Sequence, residues 1–270
     1  MLSAMRIARR LNYEFIPIWD REAVVDDSTM GCSFQDLFES LDANSKKTDG
    51  LNLTEYSTEL GRNILDTSSI NGGDIFIKGF HFIFDLNDIL LFNNDPSYSR
   101  IITKEIQSEW RSLRPIDNFI HYVEQDKFDL GIHIRRSTHI KSVNPDFAKD
   151  WSVPSDARLV DLLIQTIENE NIKRIFLCSA SMQTIDFIAS HLRSYDLKVS
   201  NTSNWDLDVS SVQDAFKDFL TLTSCRLMFR NRESTFSSLP SLLGSTKEFV
   251  YSDNGELTEL VPLIFNGAGL

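Results

Sequence analysis

Phe128-Asp129-Leu130-Gly131-Ile132-His133-Ile134-Arg135-Arg136 is the stretch on which the fold turns. Leu130, Ile132 and Ile134 alternate with Gly131 and His133, the period-2 pattern of a strand with one apolar face. The pattern stops at two consecutive arginines with no acid beside them. In an open α/β sheet ligands collect outside the carboxyl ends of strands. Planar guanidinium groups placed there suit bidentate contact with phosphate oxygens. An isolated Arg-Arg is ordinarily a solvated surface pair, so the sequence around it has to decide.

Beyond this strand the pattern is regular. An irregular segment over 137–154 is followed by an expected helix over 155–170, capped by Ser155 or Asp156. A strand over 174–178 leads to a helix near 182–194, a short strand over 197–199, a polar loop over 200–208 and a helix near 211–224. A strand over 227–229, a helix over 236–243 and a strand over 248–251 complete the series. Strands alternating with helices of this length predict a parallel sheet with right-handed crossovers.

Upstream, Leu2, Met5, Ala8 and Leu11 share one face of a helix, with Arg6, Arg9 and Arg10 away from it. Residues 14–19 read as a short strand. A doubly wound domain normally opens on a strand and loop before its first helix. Neither stands here, and the expectation is that the native chain begins upstream of Met1. Cys32 to Phe38 reads as a loop entering a short helix anchored by Phe34, Leu37 and Phe38, and the polar run 42–50 as a surface loop. A strand over 74–77 follows the turn Asn71-Gly72-Gly73, and His81 reads as a packed or surface histidine. Helices near 99–113 and 115–125 close this half, with Pro115 in the first turn of the second. The chain is expected to divide into 1–126 and 127–270.

With 27 Lys+Arg against 39 Asp+Glu the net charge is −12, which argues against non-specific nucleic-acid binding. An anionic small ligand stays open where basic groups concentrate, as at Arg135, Arg136, Arg230 and Arg232. Three cysteines without CxxC spacing argue against a disulfide framework or zinc site and point to a reducing compartment. No apolar run approaches the roughly 20 residues that cross a bilayer, and Met1 to Arg6 lacks the apolar core of a signal peptide. A cytoplasmic setting is expected.

The carboxyl ends of successive strands bring together residues 133–136, 179–181, 201–203 and 231–238. Of these, Glu233-Ser234-Thr235-Phe236-Ser237-Ser238 carries four hydroxyls at a helix start. A helix N-terminus offers unpaired N–H groups and positive partial charge, a seat for phosphate. Ordinary capping by Ser234 or Thr235 needs only one hydroxyl, so the group together with Arg135 and Arg136 favours an anion site. Asp214 and Asp218 share a helix face. That face is a solvated acidic stripe unless it meets the cleft, where one carboxylate could accept from a base or ribose.

Gly131-Ile132-His133-Ile134-Arg135-Arg136 resembles the HxRR strand end of the fucosyltransferase superfamily, which includes α1,2-, α1,6-, nodulation and protein O-fucosyltransferases. The block Asp214-x-x-x-Asp218-Phe219-Leu220-x-Leu222-x-x-Cys225, continuing to Ser234-Thr235-Phe236-Ser237-Ser238, is similar to that group's second motif. Ser3 to Leu11, Trp19 and Cys32 to Phe38 are similar to its N-terminal domain. The resemblance implies a GT-B architecture of two Rossmann-like domains facing a central cleft. Residues 1–126 would be the acceptor side, lacking its first strand, and 127–270 would bind the nucleotide sugar. It implies inverting, metal-independent transfer of fucose from GDP-fucose to a glycan acceptor, with no cofactor. Arg135 would bind the diphosphate and stabilise the departing GDP, as the catalytic residue. His133 and Arg136 would support it, Asp218 would contact the nucleotide, and Ser234, Thr235, Phe236, Ser237 and Ser238 would wrap the phosphate. Groups already placed where the leaving group gains charge lower the barrier more than they stabilise the ground state.

The sequence departs from that family at three points. Ser137-Thr138 stands where many relatives carry an Asp after HxRR, and Ser179-Ala180-Ser181 replaces an acidic turn. The Gly-rich upstream loop is also absent. The general base stays open among His139, Glu233, Asp20 and Asp36. The alternative reading is a catalytically degenerate relative that binds nucleotide or glycan without transfer. A P-loop or dinucleotide enzyme is disfavoured, since neither GxxxxGK[ST] nor GxGxxG occurs.

Overall fold

The computed structural model describes residues 2–13, 15, 24–25, 28–29, 34–39, 53–57, 64–65, 67, 74–78, 84–134, 154–179, 181–201, 209–232, 234–244, 246–252 and 254–263. The expected strand over 14–19, the loops over 42–50 and 137–153, His81 and the 202–208 loop fall outside these residues, save for Phe15.

The chain opens on α1 (Leu2–Arg10) and a small antiparallel pair, β1 (Val24–Val25) and β2 (Ser28–Thr29). A 3-10 turn, Phe34–Asp36, precedes β3 (Leu53–Ser57), β4 (Ile64–Leu65), β5 (Asp74–Lys78) and β6 (Phe84–Asp85). Here β3 pairs in parallel with β5, and β4 with β6. Three helices follow, α2 (Leu86–Asn94), α3 (Tyr98–Ser112) and α4 (Asp117–Gln125). The second half alternates through β7 (Leu130–Ile134), α5 (Asp156–Glu168), β8 (Arg174–Ser179), α6 (Met182–His191), β9 (Asp196–Asn201), α7 (Val209–Ser224), β10 (Leu227–Asn231), α8 (Thr235–Gly244), β11 (Lys247–Tyr251) and β12 (Leu257–Leu260).

The last six strands form one sheet in the order β12-β11-β10-β7-β8-β9. Every pairing is parallel except β11 with β12. Counted from β7, this is the Rossmann order 3-2-1-4-5-6 with its sixth strand reversed. The chain winds outward from β7 through β8 to β9, then returns to β10 on β7's other side and winds away again. The antiparallel β12 was not anticipated: four residues of mixed polarity at an edge carry little period-2 signal.

Each face of the sheet has its own core. Leu130, Ile132 and Ile134 pack with Ile175, Leu177, Phe229 and Tyr251 against Leu159, Leu163 and Ile167 of α5 and Ile185 and Ile188 of α6. On the opposite face Phe176, Cys178 and Met228 meet Leu222 of α7 and Cys225 just beyond it. Gly131 allows that approach, because a Cβ there would lie 2.8 Å from Met228 Sδ, 2.9 Å from Cys225 Sγ and 3.0 Å from Leu222 Cδ2. A third cluster joins the two halves of the chain. Leu2 and Met5 of α1, Phe34, Leu37 and Phe38, Ile102 and Ile106 of α3 and Phe119 of α4 pack with Phe216, Leu220, Leu242 and Leu243 of α7 and α8. The three expected anchors, Phe34, Leu37 and Phe38, are all in it.

Two local expectations are corrected. Pro115 lies before α4, bridging to Phe38, and Ile116 is the N-cap residue. Proline's missing donor is thus placed in an extended connector instead of the first helical turn. Arg6 is buried, although helical spacing sets it apart from Leu2 and Met5. Its Nη1 donates to Asp88 Oδ2 at 2.7 Å and its Nε to Glu105 at 2.6 Å, while Arg10 donates to Asp88 Oδ1 at 2.7 Å. Burial opposes the charge on Asp88, but the bonds from Arg6 and Arg10 prevail and hold the carboxyl below its usual range.

Gly131→Ala is expected to destabilise the fold by about 1–3 kcal/mol through overpacking under α7, read as a lower urea midpoint at unchanged m value.

Candidate active site

Ligands of doubly wound sheets bind where the winding reverses, which here is the carboxyl end of the β7/β10 pair. Arg230 is in register with His133, and His133 in turn with Cys178. Ser179, the last residue of β8, donates its hydroxyl to the Ile134 carbonyl at 2.7 Å and ties the end of β7 to its neighbour. His133 Nδ1 and Ser234 Oγ lie 3.3 Å apart across the reversal, and Phe236 sets its ring 5.1 Å from the imidazole at 44°. His133, Ser234 and Phe236, singled out separately in the sequence, therefore come together.

The hydroxyl-rich turn divides its labour. Ser234 lies at the mouth of α8, its carbonyl accepting from Ser238 N at 3.0 Å. Ser237 is sealed in the interior, its hydroxyl donating to the Ser234 carbonyl at 3.4 Å, and its own carbonyl accepts from Ser241. Ser238 and Phe236 are half-buried, and Thr235 is the first residue of the helix. Arg135 and Arg136, which follow Ile134 directly in sequence, lie outside the described residues. So do His139, Glu233 and Asp20 among the base candidates, while Asp36 ends the 3-10 turn, its carbonyl accepting from Gln213 of α7 at 3.1 Å.

Arg230 does not add to a basic patch. Its guanidinium is buried and grips Glu248 of β11 through Nε at 2.6 Å and Nη2 at 3.0 Å, and Nη1 donates to the carbonyls of Asn231 and Arg232. This is an internal clamp on the neighbouring strand, with its charge spent within the sheet.

Asp214 and Asp218 have different environments. Asp214 is exposed and paired with Lys217 at 2.7 Å, whereas Asp218 is only 2% exposed. The Ser200 hydroxyl bonds its carboxyl, but the buried Oδ2 has no partner among the described residues. Burial pushes its pKa up to about 7, with the Asp214 charge adding to the rise and the Ser200 bond, Lys217 and Lys198 opposing it. Ser200 lies on β9, which continues to Asn201 where the polar sequence suggests a loop, and it pairs in register with Cys178. Burial also raises the thiols of Cys178 and Cys225, so neither is a nucleophile at neutral pH. A hollow of about 270 Å³ bordered by Met5, Arg9, Asn12, Tyr13, Phe15 and Glu109 contains none of these site residues.

A Rossmann-order sheet with its reversal point beside a helix mouth, preceded by parallel strand pairs and a helical layer, is a GT-B-like α/β fold of the kind found in fucosyltransferases. Among solved structures, NodZ α-1,6-fucosyltransferase soaked with GDP-fucose matches at 13% identity and a TM-score of 0.57, over 96% of this chain and 92% of that one. Fucosyltransferase NodZ from Bradyrhizobium matches at 14% identity and a TM-score of 0.53, over 97% and 92%. A variant of Arabidopsis thaliana FUT1 in complex with GDP matches at 13% identity and a TM-score of 0.51, over 93% and 67%. At these identities the likeness is one of fold. No protein-family profile matches the chain, and no curated protein matches it by sequence.

Folding holds a proton on Asp218 that the unfolded chain, with a carboxyl pKa of about 3.9, releases. Stability is therefore expected to fall as pH rises from about 4 to about 7 and to level off above. Asp218→Asn should remove this loss, its melting temperature gaining on the parent between pH 5 and pH 8. A constant difference across that range would show the carboxyl ionised throughout.

Proposed function

We propose that the protein is an inverting glycosyltransferase that moves fucose from GDP-fucose, or a closely related nucleotide sugar, to a glycan acceptor without a metal ion. The observation that carries this reading is the bond between His133, at the end of the central strand, and Ser234, at the helix mouth across the winding reversal. It sets the strand end over 131–134 against the turn over 234–238, at the position where such sheets take nucleotides. The GDP and GDP-fucose bound by the solved proteins of like fold support the same donor class.

In this reading Arg135 binds the diphosphate and stabilises the GDP leaving group, with Arg136 and His133 in support. The opening N–H groups of α8 serve the phosphates, assisted by the Thr235 and Ser238 hydroxyls, while the sealed Ser237 fixes the turn from beneath and Asp218 acts from the side of the nucleotide. Charge develops on the β-phosphate oxygen as the glycosidic bond breaks. Fixed guanidinium and helix-end donors are worth most at that moment. Residues 127–270 form the donor half and residues 1–126 the acceptor half. A reducing, cytosolic setting belongs to the proposal, and the free thiols of Cys178 and Cys225 fit it.

The second reading, nucleotide or glycan binding without transfer, draws on Ser137-Thr138 in place of an acid and on the sealing of Asp218. Thermal shifts with GDP, GDP-fucose, UDP-GlcNAc and NAD separate the possibilities. Ligand that binds only the native state stabilises it by about 2.7 kcal/mol at 100 times Kd, and only the guanosine ligands are expected to do so. Arg135→Ala should abolish that shift while leaving the ligand-free melting temperature nearly unchanged. A mutant that unfolds makes Arg135 structural. A GDP shift without hydrolysis or transfer to a glycan panel selects the second reading, and a response to NAD alone defeats both.

A further inference from the structure

We infer that Ser234 is a positioning residue that holds His133 in the form protonated at Nε2, so that the imidazole meets the nucleotide as a hydrogen-bond donor. The inference rests on the nucleotide-sugar reading above. Its geometric basis is a pair of contacts, with Ser234 Oγ 3.3 Å from Nδ1 and the Phe236 ring tilted at 44° with its centroid 5.1 Å from that of the imidazole. Both partners belong to the entry of α8, so one short segment fixes the imidazole in position and in rotation. Ser234 itself is wholly buried, which removes water as an alternative partner for its hydroxyl.

The direction of the Ser234–His133 bond follows from what surrounds the hydroxyl. The opening turn of a helix presents N–H donors with no intrahelical acceptor, together with positive partial charge. An oxygen at that mouth is stabilised with its lone pairs toward the helix and its proton directed away. Nδ1 of His133, 3.3 Å away, is placed to take that proton, the sense of the bond following the ring's tautomer. The opposite arrangement, Nδ1–H donating to Oγ, turns a buried hydroxyl proton toward a cluster of donors, and a buried donor left unmet is expensive. Nδ1 is therefore the acceptor, and the neutral ring carries its single proton on Nε2. A donor at Nε2 suits a phosphate or carbonyl oxygen. The other tautomer would offer that oxygen a lone pair.

Long-range ¹⁵N–¹H correlation spectra of ring-labelled protein at pH 8 test this directly, with His133 identified among the five histidines by the signal missing from His133→Gln. The parent should show a pyridine-type Nδ1 and a pyrrole-type Nε2 for His133. Ser234→Ala should show averaged nitrogens and bind GDP about three- to tenfold more weakly, the range expected for one neutral hydrogen bond. A parent with its proton on Nδ1, or a Ser234→Ala protein that keeps the pure Nε2–H form, overturns the inference. Averaged nitrogens with unchanged GDP affinity overturn its link to the nucleotide. A parent that shows the Nε2–H form yet binds no GDP defeats the nucleotide-sugar reading and leaves the Ser234–His133 bond as a fold contact only. If Ser234→Ala does not fold, the parent spectrum decides the tautomer and the GDP affinity of His133→Gln decides its role, an unchanged value overturning it.

Discussion

The absence of a side chain at position 131 governs how closely α7 lies on the sheet. Leu222, Cys225 and Met228 occupy the volume that a Cβ would need. Interiors pack at crystal density, so a helix displaced by one methyl group takes its other contacts with it. The same helix carries Asp218 under the ends of β8 and β9, and sends Phe216 and Leu220 into the cluster shared with α1, α3 and α4. One glycine in the central strand thereby sets both the candidate site and the way the first part of the chain is held against the second.

The electrostatics of the second half are organised by where charge is cancelled. An excess of acid over base keeps the protein's field negative, and many of its described arginines are bound to carboxylates. Arg174 bridges Asp126 and Asp196, Arg226 meets Glu170, and Arg230 is enclosed by Glu248. Guanidinium groups paired in this way, at the surface or inside, give little attraction to an incoming anion. On the proposed reading, capture of a diphosphate depends on a few groups at the winding reversal and on the dipole of α8, not on a broad positive surface.

Much of the fold was legible because its signals are local. Period-2 apolar residues placed β7, the short apolar runs over 175–178 and 227–229 placed β8 and β10, helical spacing placed α5 to α8, and Ser155, one of two cap candidates, caps α5. The gathering of His133, Ser234 and Phe236 was legible too, since the alternation of elements specifies which strand ends share an edge. What stayed hidden depends on distant partners. Arg6 reads as solvent-facing until Asp88 and Glu105 are brought beside it by α2 and α3. Arg230 looks like part of a basic cluster until Glu248 on the next strand is counted. Asp218 and Asp214 are equivalent by spacing and opposite in burial, because only the sheet decides which side of a helix is inside.

The group formed by Arg6, Arg10 and Asp88 constrains how this chain can drift. A single carboxylate, itself sealed from water, holds two guanidinium groups, one of them buried with it. Losing Asp88 leaves the buried Arg6 guanidinium with only the partly exposed Glu105, at about 3–5 kcal/mol, whereas replacing the buried pair Arg6 and Asp88 together by apolar residues can be nearly neutral. Substitution at 6 and 88 is therefore expected to be concerted, and their joint variation among close homologues would report the contact between α1 and α2 from sequences alone.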